Sequence, residues 1–336
     1  MPEAAATRDR RGVWFALLVA VCAVVAAASV SISALHGAGG APQAHDGPAG
    51  RRAQTPPPGA LVFRTLDRVH EGRYGRIAWA PAGGGRPVVG GPACERTYYA
   101  AGRGLCLSRA GAVGASVRVR FLDEGLAPWR ELTLPGIPSR ARISPDGRLG
   151  AVTAFVTGHS YADPGTFSTR TTILDMTRGR RLADLEDFEV TRDGEPFRSI
   201  DFNFWGVTFA EDGNTFYATL ASGGDTYLVR GDLRGRRLET VRRNAECPSL
   251  SPDGTRLVYK KLVGSPPAWR YHVLEPATGI ETPLPEKRAV DDQAEWLDDG
   301  HVLYRVEEDI WESPVTGGRP RLYRRSADSP ALLRDN

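Results

Sequence analysis

The sequence predicts an all-β protein, a six-bladed β-propeller that follows one N-terminal transmembrane helix. Three observations lead to this prediction: abundant glycine and proline, a recurring turn, and a long uncharged segment near the N-terminus. Glycine (38 residues) and proline (25 residues) suit a turn-rich β protein better than a helical one. The 336 residues are 41% hydrophobic and 25% charged, which are ordinary globular values, so wholesale disorder is excluded.

A turn rich in Pro, Asp and Gly recurs four times, and each copy is followed by a short apolar strand. The copies are ISPDG at 143–147, FAEDG at 209–213, LSPDG at 250–254 and WLDDG at 296–300. Proline and aspartate set up a tight turn and glycine tolerates positive φ, so each copy joins two strands. Starting from Pro145, the copies lie 66, 41 and 46 residues apart. This spacing predicts blade-sized repeats with one long insertion.

Each repeat contains two further strands, and four antiparallel strands make a blade. Residues 94–134 supply another four strands, but residues 61–89 supply only three. We expect the C-terminal segment 329–333 (SPALL) to complete that first blade as its innermost strand, because it resembles 247–251 (CPSLS). A ring without such a shared blade would leave two sheet edges open. Dividing the 276 residues after Ala60 by six gives 46 per blade, so six blades fit the propeller at 61–334.

The N-terminal region predicts the cellular location. Residues 13–35 form a 23-residue stretch without a charge, preceded by Arg8, Arg10 and Arg11. Such a stretch is long enough to span a bilayer as a helix, and the arginines favour a cytoplasmic N-terminus at 1–12. Residues 36–60 contain 17 Gly, Ala or Pro in 25 positions and read as a linker. The prediction is a single-pass anchor in the cell membrane with an extracytoplasmic propeller; a cleaved signal peptide is the alternative.

Three cysteines lie outside the apolar segment: Cys94, Cys106 and Cys247. An oxidising compartment permits disulfides. Cys94 and Cys106 would face one another if their hairpin were symmetric about residue 100, within disulfide range. We therefore expect this disulfide, with two buried free thiols as the alternative. Cys247 then has no cysteine left to pair with, and we expect it to be buried.

Charge and composition exclude several functions. The 43 Lys plus Arg nearly balance the 40 Asp plus Glu, for a net charge of +3, so nucleic acid is not a predicted partner. The six histidines show no close pair, and neither a metal centre nor another cofactor is predicted. Residues 158–162 (GHSYA) approximate a nucleophile elbow, but alanine replaces the last glycine. We interpret this segment as a hydrogen-bonding loop, and we predict no catalytic residue.

Two further sets of charged residues have both a functional and an ordinary interpretation. Asp201, Glu246 and Asp291–Asp292 could gather at one channel mouth and bind a cation through oxygens, or they are exposed loop charges. Arginines occupy equivalent turns at 178–181 and 234–237. These arginines could contact anionic lipid or cell-wall polymer, or they are solvated turn charges.

The strand–Ser-Pro-Asp-Gly–strand unit resembles the WD-like repeats of TolB-type six-bladed propellers. The clearest copies are 144–147 and 251–254, and the resemblance covers the architecture of residues 61–334. The chain departs from TolB itself in its anchor and in the absence of a separate N-terminal α/β domain. The resemblance implies extracytoplasmic protein binding rather than chemistry.

We therefore expect a monomeric, membrane-anchored propeller that binds an envelope protein or peptide, or acts as a scaffold. One alternative is a propeller hydrolase or lactonase with a metal in its channel, and another is a gating domain that serves a separate hydrolase. Binding residues concentrate on long loops of a rigid scaffold. The predicted ligand-binding residues lie on one face of the propeller and are His159, Ser160, Tyr161, Asp201, Asn203, Trp205, Asp291 and Asp292.

Overall fold

The computed structural model describes residues 55–111, 116–156 and 168–334, and these residues form a six-bladed β-propeller. The predicted anchor at 13–35 and nearly all of the linker lie outside the described residues. Within the described ranges, no helix is both long and apolar enough to cross a membrane.

The strands are numbered along the chain. Blade 1 contains β1 (Ala60–Thr65), β2 (Arg76–Pro81) and β3 (Val88–Ala93), and blade 2 contains β4 (Arg96–Ala100), β5 (Arg103–Ala110), β6 (Ser116–Leu122) and β7 (Pro128–Pro135). Blade 3 contains β8 (Ile137–Ile143), β9 (Leu149–Val156), β10 (Ser168–Asp175) and β11 (Arg180–Asp184), and a short 3₁₀ helix follows at Leu185–Asp187.

Between blades 3 and 4 lie β12 (Glu189–Arg192) and β13 (Glu195–Phe197). Blade 4 contains β14 (Asn203–Phe209), β15 (Thr215–Ser222), β16 (Asp225–Asp232) and β17 (Arg237–Arg243), and blade 5 contains β18 (Glu246–Leu250), β19 (Leu257–Val263), β20 (Ala268–Leu274) and β21 (Glu281–Pro283). Blade 6 contains β22 (Glu295–Asp298), β23 (His301–Val306), β24 (Asp309–Pro314) and β25 (Arg321–Arg324), and the last strand is β26 (Ala327–Leu332).

The C-terminal strand closes the ring as predicted. β26 pairs antiparallel with β1 and forms the innermost strand of blade 1, in the order β26-β1-β2-β3. The similarity between segments 329–333 and 247–251, which predicted this closure, reflects a backbone geometry that the two segments share. Ser329 and Cys247 each precede a proline at positive φ (51° for both), and each lies at a register shift of an innermost strand. A bulge with the same geometry therefore recurs in two blades.

Blade 4 departs from the prediction of four antiparallel strands per unit. The hairpin β12–β13 adds two strands to its outer edge, and β12 pairs with β17 in parallel. Asp193 and Gly194 form its turn at φ values of 54° and 83°. Two consecutive positive φ values are the geometry that an Asp-Gly hairpin turn favours. The long spacing between the first two motif turns is thus partly a folded hairpin.

The Cys94–Cys106 disulfide is present, and its two Cα atoms are 5.4 Å apart. The hairpin geometry from which it was expected was wrong. The turn is centred on Ala101 and Gly102, so Cys106 lies opposite Thr97, and Cys94 precedes β4. The bond therefore joins β5 to the connection between blades 1 and 2. Cys247 is a free, buried thiol.

Chain direction gives the propeller two distinct faces. Counting strands outward from the channel, the turn face carries the first-to-second and third-to-fourth turns of each blade. The loop face carries the second-to-third loops and the connections between blades. Apolar side chains fill the spaces between neighbouring blades; for example, Leu105 and Phe121 of blade 2 share a buried cluster with Leu174 of blade 3. This packing makes the ring a rigid frame for the channel.

Candidate functional site

A cavity of about 530 Å³ opens in the central channel on the turn face. Side chains from the ends of the innermost strands of all six blades line it. Its volume lies in the range of ligand-binding pockets, which is about 300–1,000 Å³. We refer to it as the turn-face cavity.

Part of the rim consists of Ser-Pro-Asp-Gly turns held by their own side chains. Ser251 Oγ donates to Asp253 Oδ1 (2.5 Å) and accepts the Arg256 N–H (2.9 Å). Asp253 Oδ1 also accepts the Thr255 N–H, and Gly254 adopts a φ of 70°. Burial raises the pKa of Asp253, but the hydrogen bonds from Ser251 and Thr255 outweigh it and lower that pKa to about 2. The turn aspartate is therefore an ionised, fully engaged structural group.

The turn at Ser144 repeats this arrangement in blade 3. Ser144 Oγ donates to Asp146 Oδ1 (2.5 Å) and accepts the Leu149 N–H (2.9 Å). The Asp146 carboxylate in turn accepts the Arg148 N–H (3.0 Å). Serine and aspartate thus replace backbone partners in both turns, which explains their positions in the repeat.

A buried ion pair forms the floor of the turn-face cavity. Arg142 Nη1 donates to Glu295 Oε2 (2.6 Å), and the two side chains are 7% and 3% exposed. Tyr98 also donates to Glu295 Oε2 (2.9 Å), and Arg334 donates to the other carboxylate oxygen (3.3 Å). Both oxygens of Glu295 are thus engaged, so this carboxylate is a structural acceptor rather than a base awaiting a substrate proton.

Two charged side chains at the rim, those of Arg230 and Glu211, differ from the hydrogen-bonded side chains described above. Arg230 and Glu211 are exposed, and within the described residues neither forms a hydrogen bond or an ion pair. Asp212 follows Glu211 in the chain, is held by Thr215 and Asn214, and interacts electrostatically with Arg230. Arg230 and Glu211 can therefore contact a ligand without breaking an internal bond.

Charged residues narrow the channel towards the loop face. Asp292 lies between Arg96 (2.6 Å) and Arg140 (3.4 Å), and its carbonyl accepts the Tyr271 hydroxyl (2.8 Å). Burial raises the pKa of Asp292, but Arg96 and Arg140 outweigh this effect and hold that pKa well below its usual range. An ionised carboxylate bridging two guanidinium groups therefore links blades 2 and 3 to the connection between blades 5 and 6.

The predicted loop-face residues fall into two groups that share no hydrogen bond or ion pair in the described ranges. Asp201 accepts hydrogen bonds from Ser199, Ser222 and the Gly223 N–H, and Asn203 accepts the Thr169 N–H. Burial raises the pKa of Asp201, but these hydrogen bonds outweigh it and lower that pKa overall.

Asp291 and Asp292 form the second group, in which exposed Asp291 pairs with Lys260 (3.2 Å). Trp205 is half-buried in β14, beside Asn203. His159, Ser160 and Tyr161 lie outside the described residues. The predicted site therefore stays a prediction.

The carboxylates considered for a cation site do not form one cluster. Glu246 pairs with Lys260 (3.5 Å), whereas Asp292 pairs with arginines and Asp201 caps a turn. Across the described ranges, no three His, Cys, Asp or Glu side chains are grouped so that they could hold a metal ion.

Sequence reasoning missed the turn-face cavity because it took loop length as its guide and therefore pointed to the loop face. One signal was available in the repeats. Pro145 and Pro252 of the two clearest copies both lie at the rim. A motif that recurs at the same end of four innermost strands must lie around one mouth of the channel.

The fold and the channel define the class of protein: an all-β, six-bladed propeller with a ligand-sized cavity on its axis. No protein-family model and no curated protein sequence matches the chain. Among solved structures, TolB from Acinetobacter baumannii is similar with a TM-score of 0.59 and 16% identity, over 82% of this chain and 67% of that one.

Two further structures are similar over most of both chains. A putative TolB from Agrobacterium tumefaciens matches with a TM-score of 0.50 and 10% identity, over 82% of this chain and 92% of that one. A chain of a nidogen/laminin complex matches with a TM-score of 0.52 and 12% identity, over 81% and 97%. The predicted TolB-like propeller fold is confirmed, and at these identities the likeness concerns the fold alone.

Proposed function

We propose that this chain is an extracytoplasmic binding or scaffolding module, anchored by residues 13–35, that holds a protein or peptide of the cell envelope in the turn-face cavity. The observation that carries the proposal is the cavity itself. It is about 530 Å³ in volume, and rigid turns from several blades surround it. Preformed, concave sites of this size on a rigid frame are the usual form of a binding pocket.

The chemistry of the lining supports binding over catalysis. Glu295 is engaged by Arg142, Tyr98 and Arg334, and Ser251 and Asp253 satisfy one another within a turn. No histidine or cysteine is among the described residues that line the cavity. A nucleophile needs an adjacent base, and a general base needs a free acceptor. Apart from the exposed Glu211 carboxylate at the rim, the lining therefore offers contacts and charge rather than a reactive group.

Arg230 and Glu211 give the rim its capacity for specificity. Both are exposed and unpaired within the described residues, so they are free to form ion pairs with a partner. Charges at the edge of an interface select the partner and speed its association more than they raise affinity. A partner that places its own charges opposite these two fits this rim.

The test is capture of the partner from native membranes by the full-length, detergent-solubilised chain, followed by mass spectrometry. We expect the partner to be lost with Arg230→Glu, which reverses a rim charge. We expect it to be retained with Arg236→Gln, a matched control at an exposed third-to-fourth turn on the same face.

The loop-face prediction is tested in the same experiment with Tyr161→Ala and Asp201→Asn. Loss of the partner with these two variants, and its retention with Arg230→Glu, would move the binding site to the loop face. Loss with Arg236→Gln alone would instead place binding on the arginine-bearing turns.

A further inference from the structure

A small second cavity lies in the throat of the channel, between the floor of the turn-face cavity and the loop face. Its volume is about 30 Å³. Four arginines line it, Arg96, Arg140, Arg142 and Arg305, together with a single carboxylate, that of Asp292. Guanidinium groups only donate hydrogen bonds and stay charged at every physiological pH. The lining therefore calls for an acceptor that carries negative charge.

The ion pairs that surround the throat do not neutralise its excess of positive charge. Glu295 is shared by Arg142 (2.6 Å) and Arg334 (3.3 Å). Asp328 is likewise shared by Arg64 (2.5 Å) and Arg305 (3.7 Å).

The remaining charges of the network lie beside Arg140. Lys260 contacts Glu246 (3.5 Å) and Asp291 (3.2 Å), and the Cys247 thiol also faces Arg140. In total, seven cationic side chains meet five carboxylates in this part of the chain. Arg334 and Asp291 are exposed, but the other six cations and four carboxylates are buried or partly buried and still leave an excess of two positive charges. Such an excess is costly in a protein interior unless a counter-ion accompanies it.

Individual donors in the throat also lack acceptors. Arg140 Nε is buried and has no hydrogen-bond partner, since its contact with Asp292 (3.4 Å) lacks hydrogen-bond geometry. Arg305 donates from Nε to the Glu307 carbonyl, but its Nη1 is 3.7 Å from Asp328, too far for a hydrogen bond. A buried donor without a partner, such as Arg140 Nε, calls for water or an ion. The Arg305 side chain is 34% exposed, and its Nη1 can donate to the same particle.

We infer that the throat is a binding site for one small monovalent inorganic anion of about the size of chloride. A cavity of roughly 10–15 Å³ is enough to hold one water molecule, so the throat, at about 30 Å³, has room for a small inorganic anion. The anion accepts hydrogen bonds from the guanidinium groups of Arg140 and Arg305. It also supplies the negative charge that Asp292 alone does not. This site is separate from the turn-face cavity and does not depend on what binds there.

The direct test is crystallography of the full-length chain in sodium bromide, since bromide replaces chloride and scatters anomalously. We expect an anomalous peak within contact distance of the Arg140 and Arg305 guanidinium groups. The absence of a peak there would mean that the throat holds only water and would overturn the proposal.

A solution test uses thermal unfolding at constant sodium concentration, with chloride replaced stepwise by gluconate, which is too large for the cavity. We expect the melting temperature to rise with chloride by about 2–4 °C per tenfold increase above the dissociation constant. Arg305→Gln should abolish this chloride-specific rise, and Arg236→Gln, an exposed turn arginine, should keep it. Equal melting temperatures in chloride and gluconate would overturn the proposal, and so would a rise that persists in Arg305→Gln.

Discussion

Arg64 in the first strand holds Asp328 in the last strand through two hydrogen bonds, from Nε (2.8 Å) and from Nη2 (2.5 Å). The Asp328 side chain is fully buried, and Arg64 is 13% exposed. These residues are 264 positions apart, so the pair forms only when the last strand has joined the first blade. A bidentate arginine–carboxylate pair fixes direction as well as distance. It therefore secures the register with which β26 joins β1.

We predict that Asp328→Asn destabilises the propeller by about 3–5 kcal/mol, because the substitution leaves a largely buried arginine without its counter-charge. Deleting residues 327–336 should lower the melting temperature further, since it removes the innermost strand of blade 1 and exposes the edge of β1. Chemical denaturation of the full-length chain measures the first effect. Glu308→Gln is the matched control: it breaks the exposed Arg68–Glu308 pair and should leave the free energy of unfolding nearly unchanged. An unchanged melt after the deletion would contradict the closure by β26.

Gly231 allows a close contact inside blade 4. It lies opposite Phe216 on the neighbouring strand, and a Cβ atom at this position would come within 2.1 Å of the Phe216 ring. We predict that Gly231→Ala costs about 1–3 kcal/mol, since the ring must leave its packed position. Denaturant unfolding measures this cost. Gly83→Ala, at a position with no other atom within 4 Å, should change stability little. Equal effects of the two substitutions would show that the close contact between Gly231 and the Phe216 ring does not affect stability.

Glu186 makes the stability of the third blade depend on pH. Burial raises the pKa of Glu186 from its ordinary value of 4.5 to about 8, against the opposing effect of hydrogen bonds that include one from the Thr171 N–H (3.0 Å). The folded protein therefore holds this proton more tightly than the unfolded chain does. The resulting stabilisation is fully present below pH 4.5 and is lost as the pH rises through 8.

The variant Glu186→Gln cannot ionise, so it should lose less stability than the parent protein as the pH rises. We predict that the melting temperature of the variant minus that of the parent increases by a few degrees between pH 5 and pH 8.5. Other titrating groups are common to both proteins and cancel in the difference. A difference that stays constant with pH would show that Glu186 is ionised throughout.

The sequence was sufficient to predict the blades because each strand carries its own local signals. The four strands predicted within residues 94–134 are present as β4 to β7, since glycine-containing turn segments separate neighbouring strands. The hairpin β12–β13 was missed although Asp193-Gly194 is a strong turn signal. Its short strands have little apolar content, and their parallel pairing with β17 leaves no mark on the local sequence.

The channel site could not be predicted in the same way. Arg142 and Glu295 are 153 positions apart, and each is one of two charged residues in an otherwise ordinary strand. Their contact depends on the angle between blades 3 and 6, which follows from the packing of the whole ring. Loop length could be read from the sequence, and it directed attention to the loop face. The cavity on the turn face is a product of tertiary geometry.

The predicted membrane topology follows from the sequence alone. Residues 13–35 are uncharged and follow three arginines, so we predict a retained anchor with the propeller outside the cytoplasm. Protease added to intact cells should release the propeller by cutting the predicted linker at 36–60, because a segment this rich in Gly, Pro and Ala is not expected to bury a core that would protect it. Western blotting of the supernatant, with a cytoplasmic protein as the control for lysis, measures the release. A mature form secreted without protease and beginning near residue 34 would show that the segment is a cleaved signal peptide.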